Sequence, residues 1–115
     1  MKIKNIHRGL PLADPESRFN FSTVDTGVKL TFRDWQNYEH IIIFTDAEYF
    51  TYTNYSPYPE IAEECFVEIQ DSEQLKKLSI DGLVVPYENY KHYLISSNED
   101  EWCEVIATGI EFGEQ

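Results

Sequence analysis

Alternating hydrophobic and polar positions divide much of the chain into short β-strands. Residues 19–23 and 28–32 each place apolar or β-branched side chains at every second position, and Asp25-Thr26-Gly27 lies between them. A period of two puts these side chains on one face of a strand, and the turn residues predict a hairpin. In this hairpin Gly27 would take the positive φ of a bulged three-residue turn.

Five more segments carry strand patterns. Residues 40–45 are apolar at successive positions, which is typical of a central strand covered on both faces. Asp46-Ala47-Glu48 then predicts a tight connection to a strand over residues 49–53, and so a second hairpin. Residues 65–69 form a further strand, and residues 92–97 and 102–108 flank Asn98-Glu99-Asp100-Glu101 as a final hairpin.

One short helix interrupts the strands. Ser72 or Asp71 can cap its free amides, Leu75 and Leu78 share one face, and the helix should end near Asp81-Gly82. Residues 54–60 hold two prolines and form a loop, in which Pro59 and the acids after it could open a helical turn. The predicted fold is α+β: one domain over residues 1–115, with a mostly antiparallel β-sheet of six or seven strands and one short helix.

Composition and charge narrow the classes of partner. The chain has 115 residues, 42% hydrophobic and 15% aromatic, which suits one folded domain. Its formal charge is −12, and the first 33 residues hold six of the nine basic side chains. Such a field repels phosphate backbones and anionic membranes, so we expect no nucleic-acid or membrane binding and a basic protein partner instead. The same charge would also serve solubility alone.

The sequence also bears on the cellular location of the protein. Residues 1–10 lack the apolar stretch of an export signal, and the longest apolar run, residues 41–44, is too short to span a bilayer. We therefore expect a cytoplasmic protein. Cys65 and Cys103 stand alone without metal-ligand spacing and are predicted to be reduced, buried thiols.

Patterns of catalytic or metal-binding residues are absent from the sequence. There is no G-x-S-x-G turn, no glycine-rich phosphate loop, and no short spacing among His7, His40 and His92. Among 21 acidic residues, a carboxylate pair at glycosidase spacing would arise by chance. We expect no enzyme, no metal and no cofactor, although a serine or cysteine brought beside a base by folding remains open.

Tyrosines and acids coincide between residues 46 and 71, and a weaker set lies in the final hairpin. Tyrosine gives contact area at little entropic cost, and acids steer a basic partner. The predicted partner-binding residues are Asp46, Glu48, Tyr52, Tyr55, Tyr58, Glu60, Glu63, Glu64, Glu68, Glu99, Asp100 and Glu101. Tyr55 or Tyr58 is the expected anchor. The alternative is that these tyrosines simply pack on the sheet.

The last 45 residues or so resemble a known family. EIQDSEQLKKL from Glu68, followed by YKHYLISSNEDEWCEVIATGIEF, is similar to the C-terminal half of small bacterial immunity proteins encoded beside polymorphic or contact-dependent toxins. The shared pattern is a capped helix, a strand opening HY and a last strand ending EVIA. The resemblance implies a non-enzymatic protein that binds and neutralises a cognate toxin, often a basic nuclease. No binding residue transfers by matching.

Three functions follow in order. The leading hypothesis is an immunity protein that binds a basic toxin domain. The alternative is a small adaptor or accessory subunit with an apolar interface, and the last is a small hydrolase that uses carboxylates.

Overall fold

Two antiparallel sheets pack face to face. The computed structural model describes residues 1–6, 9–13 and 17–113. Within these residues the strands are β1 (Ile3–Asn5), β2 (Asn20–Val24), β3 (Gly27–Arg33), β4 (Glu39–Thr45), β5 (Tyr49–Thr53), β6 (Phe66–Ile69), β7 (Lys91–Ser97), β8 (Glu101–Ala107) and β9 (Gly109–Gly113). The larger sheet has the order β1-β6-β7-β8-β5, and the smaller sheet has the order β2-β3-β4-β9. The prediction of a mostly antiparallel β protein with one short helix is confirmed, but there are two open sheets.

The first hairpin forms with a tighter turn than predicted. Val24 pairs with Gly27, so only Asp25 and Thr26 lie in the turn, and Asp25 has a φ of 53°. Positive φ in the first turn position suits a two-residue hairpin, because its twist matches that of the strands. Gly27 lies inside β3 instead, where a Cβ would collide with the backbone carbonyl of Phe44. Glycine is therefore required there by close strand approach.

The helix forms where the sequence predicts it. Helix α1 spans Glu73–Ile80, and the Leu75 amide donates to Oγ of the N-cap Ser72 at 2.9 Å. After the last turn, Gly82 has a φ of 76° and the Leu83 amide donates to the Leu78 carbonyl at 2.9 Å. This left-handed glycine ends the helix by satisfying a terminal carbonyl.

The predicted hairpin of β4 and β5 is wrong. β4 pairs with β3 and β9 in the smaller sheet, whereas β5 pairs with β8 in the larger one. Asp46 has a φ of 47°, and the next amide, of Ala47, donates to the Thr26 carbonyl at 3.0 Å. The turn thus passes the chain from one sheet to the other. β4 is central in its sheet, but only the side that carries Ile42 and Phe44 is fully buried, and the residues of the other face are partly exposed.

The main core lies between the sheets. Phe44 of the smaller sheet approaches Phe66 and Tyr93 of the larger sheet, with ring centroids 6.2 and 5.7 Å apart. Cys103 belongs to this core, whereas Cys65 packs against a second cluster on the opposite face of the larger sheet. Helix α1 and the crossover from β5 to β6 cover that opposite face. Both cysteines are free thiols, and burial raises the pKa of each.

Strands β1 and β9 have no counterpart in the predicted set. β1 has three exposed residues, and β9 begins and ends with glycine. Such segments have weak intrinsic strand preference, and pairing with β6 and β4 determines their conformation. No helix in the described part of the chain is both long and apolar enough to cross a membrane.

Candidate functional site

Two of the predicted binding segments meet at one end of the larger sheet. Because Thr53 at the end of β5 pairs with Trp102 in β8, the loop after β5 begins beside the β7–β8 turn. The Asn54 side-chain amide donates to the Asp100 carbonyl at 3.3 Å. We call residues 54–64 and 98–100 together the acidic loop surface.

The acidic loop surface carries negative charge and an exposed aromatic side chain. Five of its residues are exposed acids, and neither segment contains lysine or arginine: Glu60, Glu63, Glu64, Glu99 and Asp100. Tyr55 is 76% exposed. Glu64 and Asp100 have φ values of 59° and 56°, so tight local turns direct this part of the chain. Six of the twelve predicted residues are therefore exposed on this surface, namely Tyr55 and the five acids.

Three predicted acids lie elsewhere. Asp46 and Glu48 precede β5, at the end of that strand away from Tyr55. Glu68 lies on the inner side of β6, where it lines a cleft with Lys4 and Lys91. Glu68 is therefore not part of the acidic loop surface.

Glu101 was expected at an exposed hairpin tip, and the structure corrects this. Its side chain has no exposed surface and accepts three hydrogen bonds, from the Phe19 amide at 2.7 Å, the Tyr52 hydroxyl at 2.9 Å and the Ser97 hydroxyl at 3.2 Å. Arg18 lies 3.9 Å away and contributes positive charge. Glu101 links the residue before β2 to the larger sheet through the Phe19 amide. The Tyr52 hydroxyl is used in the hydrogen bond to Glu101.

Tyr58 is likewise drawn into the fold. Its ring packs against the cluster around Ile61 and Trp102, and its hydroxyl donates to Glu104 Oε1 at 2.6 Å. Burial, and then the nearby Glu104 carboxylate, raise the pKa of Tyr58. Of the two expected anchors, only Tyr55 is free to meet a partner.

Glu104 belongs to a buried polar network that sequence patterns did not reveal. His92 Nε2 lies 2.8 Å from Glu104 Oε1, and His92 Nδ1 lies 2.6 Å from Ser72 Oγ. Thr51 Oγ1 donates to the other Glu104 oxygen at 3.2 Å. The only sequence signal was Ser72 as a helix cap, because its link to His92 spans 20 residues.

Hydrogen-bond chemistry assigns the protons in this network. An ionised carboxylate only accepts, so His92 Nε2 carries the hydrogen of the bond to Glu104. Burial of Glu104 opposes its ionisation, but the hydrogen bonds from His92 and Tyr58 outweigh this and hold its pKa below the ordinary value. Glu104 is therefore ionised at neutral pH.

Serine, histidine and carboxylate in a row are also the parts of a nucleophilic site, so their accessibility matters. Ser72 is only 3% exposed, and its oxygen already accepts from the Leu75 amide that begins α1. His92 and Glu104 are also buried. These hydrogen bonds instead hold two segments against β7 and β8: the start of α1, through Ser72, and the crossover from β5 to β6, through Tyr58.

A metal site needs several ligating side chains close together in space. In residues 1–6, 9–13 and 17–113, no three His, Cys, Asp or Glu side chains are grouped so that they could hold an ion. His40 bonds to Asp34 at 2.8 Å, His92 belongs to the buried network, and His7 lies outside the described residues.

Comparison of the chain with protein-family models, curated proteins and solved structures found no match.

Proposed function

We propose that this protein is a non-enzymatic acidic binding protein of the immunity type, which covers a basic surface of a toxin domain. The observation that carries the proposal is the acidic loop surface: five exposed acids on two segments that contain no lysine or arginine, beside an exposed tyrosine. Carboxylates there would pair with lysine and arginine, and Tyr55 would supply buried contact area. Such a protein would act in the cytoplasm and would need no metal or cofactor.

The position of the surface also supports binding. Tyr58, Glu104 and His92 fasten the crossover to the sheet from beneath, while Tyr55 and the acids stay exposed. A preorganised loop loses less conformational entropy when it binds. If the toxin is a nuclease, these carboxylates would occupy the cationic site that otherwise receives phosphates.

The test uses the protein encoded immediately upstream of this chain, which we expect to be a toxin. Co-expression should restore the growth of cells that produce the toxin domain, and the two purified proteins should bind each other. The double variant Glu60→Lys and Glu63→Lys should associate about tenfold more slowly at low salt, with a smaller deficit at high salt. Glu73→Lys is the matched control, because Glu73 is an exposed acid on α1 outside the surface.

The aromatic contribution has its own variant pair. Tyr55→Ala should weaken binding by about 2 kcal/mol, the usual threshold of a hot spot. Tyr38→Ala removes another exposed tyrosine, in the β3–β4 loop, and should leave affinity unchanged. Wild-type affinity for Tyr55→Ala together with Glu60→Lys and Glu63→Lys would place the interface elsewhere. A neighbouring protein without toxicity would end the immunity form of the proposal.

An accessory subunit of a larger assembly is the second candidate, because one apolar patch follows the helix. Ile80 is 85% exposed, and three more large apolar side chains after it are exposed: Leu83, Val85 and Tyr87. Contiguous exposed apolar surface marks protein contacts. Under this alternative, Val85→Glu would abolish binding, while added salt and the Glu60→Lys and Glu63→Lys changes would have little effect.

A further inference from the structure

The four outer strands of the two sheets differ in how their edges are protected. β1 has three residues and carries Lys4, and β9 has glycine at both ends and Glu111 between. Short length and charge discourage pairing with another chain. The sequences of β2, Asn-Phe-Ser-Thr-Val, and β5, Tyr-Phe-Thr-Tyr-Thr, contain no charge, glycine or proline. β5 therefore lacks the usual devices that keep an edge unpaired.

Strand register shows which backbone groups of β5 face that edge. The Ser96 amide donates to the Cys65 carbonyl at 2.8 Å, so even-numbered residues of β7 bond toward β6. Successive residues of an antiparallel strand bond to opposite sides, so odd-numbered residues of β7 bond to β8. Odd-numbered residues of β7 pair with odd-numbered residues of β8, so the even-numbered residues of β8 bond to β5. These even-numbered residues pair with residues 49, 51 and 53, which are therefore the β5 residues that bond to β8. The amide and carbonyl groups of Phe50 and Tyr52 face outward, and no described strand pairs with them.

The side chain of Phe50 lines an apolar groove, and that of Tyr52 contacts Phe21, which also lines it. Phe21 of β2 lies across the gap between the sheets, with ring centroids 4.8 Å from Phe50 and 5.3 Å from Tyr52. Phe50 is 38% exposed and Tyr52 is 36% exposed. Thr23 and Val28 complete the groove. An added strand would thus meet free hydrogen-bonding groups on one side and apolar contacts at alternate positions.

Acids flank the groove at both ends. At one end the Ala47 amide bonds to the Thr26 carbonyl, which brings the exposed Asp46 and Glu48 beside the turn containing Asp25. At the other end lies the acidic loop surface, joined to β5 through Asn54. Arg18 is a base near this end, and Glu101 and the Tyr52 hydroxyl engage it.

We propose that an extended segment of the basic partner adds to the free edge of β5 as a further antiparallel or parallel strand. The occupant carries apolar side chains at alternate central positions and lysine or arginine at both ends. Backbone hydrogen bonds to Phe50 and Tyr52 supply affinity, and the groove and flanking acids select the sequence. This inference rests on the proposed function, because it specifies how the same partner is held.

Hydrogen–deuterium exchange measured by NMR tests the pairing directly. The probe is an amidated peptide with two lysines at each end of an alternating valine–threonine centre. It should slow exchange of the Phe50 and Tyr52 amides by about tenfold or more, because they become hydrogen-bonded. The Thr51 amide already bonds to β8 and serves as the internal reference. A peptide with glutamates in place of the lysines should give no protection.

Phe50→Pro and Phe50→Val form the matched pair of variants. Both substitutions remove the aromatic ring, but only proline also removes the outward backbone N–H. An edge strand tolerates proline at such a position. Phe50→Pro should bind the peptide and the toxin domain about tenfold more weakly than Phe50→Val. Should Phe50→Pro unfold, as judged by circular dichroism, amide exchange in the wild type decides.

The outcomes separate this inference from the proposed function. Equal toxin binding by the two Phe50 variants, with weakened binding by Glu60→Lys and Glu63→Lys, overturns the strand pairing alone. Toxin binding that is unchanged by the Phe50 substitutions and by Glu60→Lys and Glu63→Lys overturns both proposals. Protection of Phe50 and Tyr52 without peptide, in a protein that sediments as a dimer, would show that a second copy occupies the edge and would overturn the inference.

Discussion

Loss of the Tyr58 hydroxyl should destabilise the fold, although the residue lies in a loop. This hydroxyl donates to the buried Glu104 carboxylate at 2.6 Å, and Tyr58→Phe removes it while keeping the ring in place. A hydrogen bond to a charged group contributes about 1.5–3 kcal/mol, so we expect the free energy of unfolding to fall by about 2 kcal/mol. For a domain of this size, the Tm should drop by about 8 °C.

Urea unfolding followed by the fluorescence of the buried Trp102 measures this change. Tyr55→Phe is the control, because Tyr55 belongs to the same loop but is exposed, and its variant should stay within about 0.5 kcal/mol of wild type. A Tyr58→Phe variant as stable as the control would refute the role given to the network.

The pH dependence gives a second check on the same variant. The folded-state pKa of Glu104 lies below its ordinary value, so its ionised network stabilises the fold above the unfolded pKa of about 4.3. This contribution is lost as pH falls through the folded pKa. The deficit of Tyr58→Phe should therefore be full near pH 7 and smaller at about pH 3. A deficit that grows on acidification would contradict the assigned charge of Glu104.

Three further outcomes test other parts of the fold. Glu101→Ala removes the acceptor of three hydrogen bonds, leaves a buried backbone amide unpaired, and should cost about 3 kcal/mol in urea unfolding. Gly27→Ala places a Cβ against the Phe44 carbonyl and should cost about 2 kcal/mol or more, whereas Gly82→Ala, with open space around it but positive φ, should cost about 1 kcal/mol. In a thiol-reagent assay of the native protein, the half-buried Cys65 should react before the fully buried Cys103, and two thiols should react after unfolding. Equal rates for the two thiols would contradict their placement.

Local patterns predicted the elements whose cause is local. Ser72 as cap, the leucines of α1 and the final hairpin are all confirmed, because caps and turns depend on residues a few positions apart. Tyr55 could be predicted as exposed, since its loop holds two prolines. The binding role predicted for the acids stays a prediction.

Tertiary structure decided what depends on distant partners. The apolar run in residues 40–45 and the pattern of residues 49–53 indicate two strands, but they do not indicate which sheet a strand joins, and β4 and β5 join different ones. Glu101 follows three polar residues and looked exposed, yet its partners come from residues as far away as Phe19. The sequence by itself determined short strands, one capped helix and an acidic surface, because these follow from neighbouring side chains. Which polar groups are buried depended on the tertiary structure, since a buried carboxylate is stable only where the fold brings donors to it.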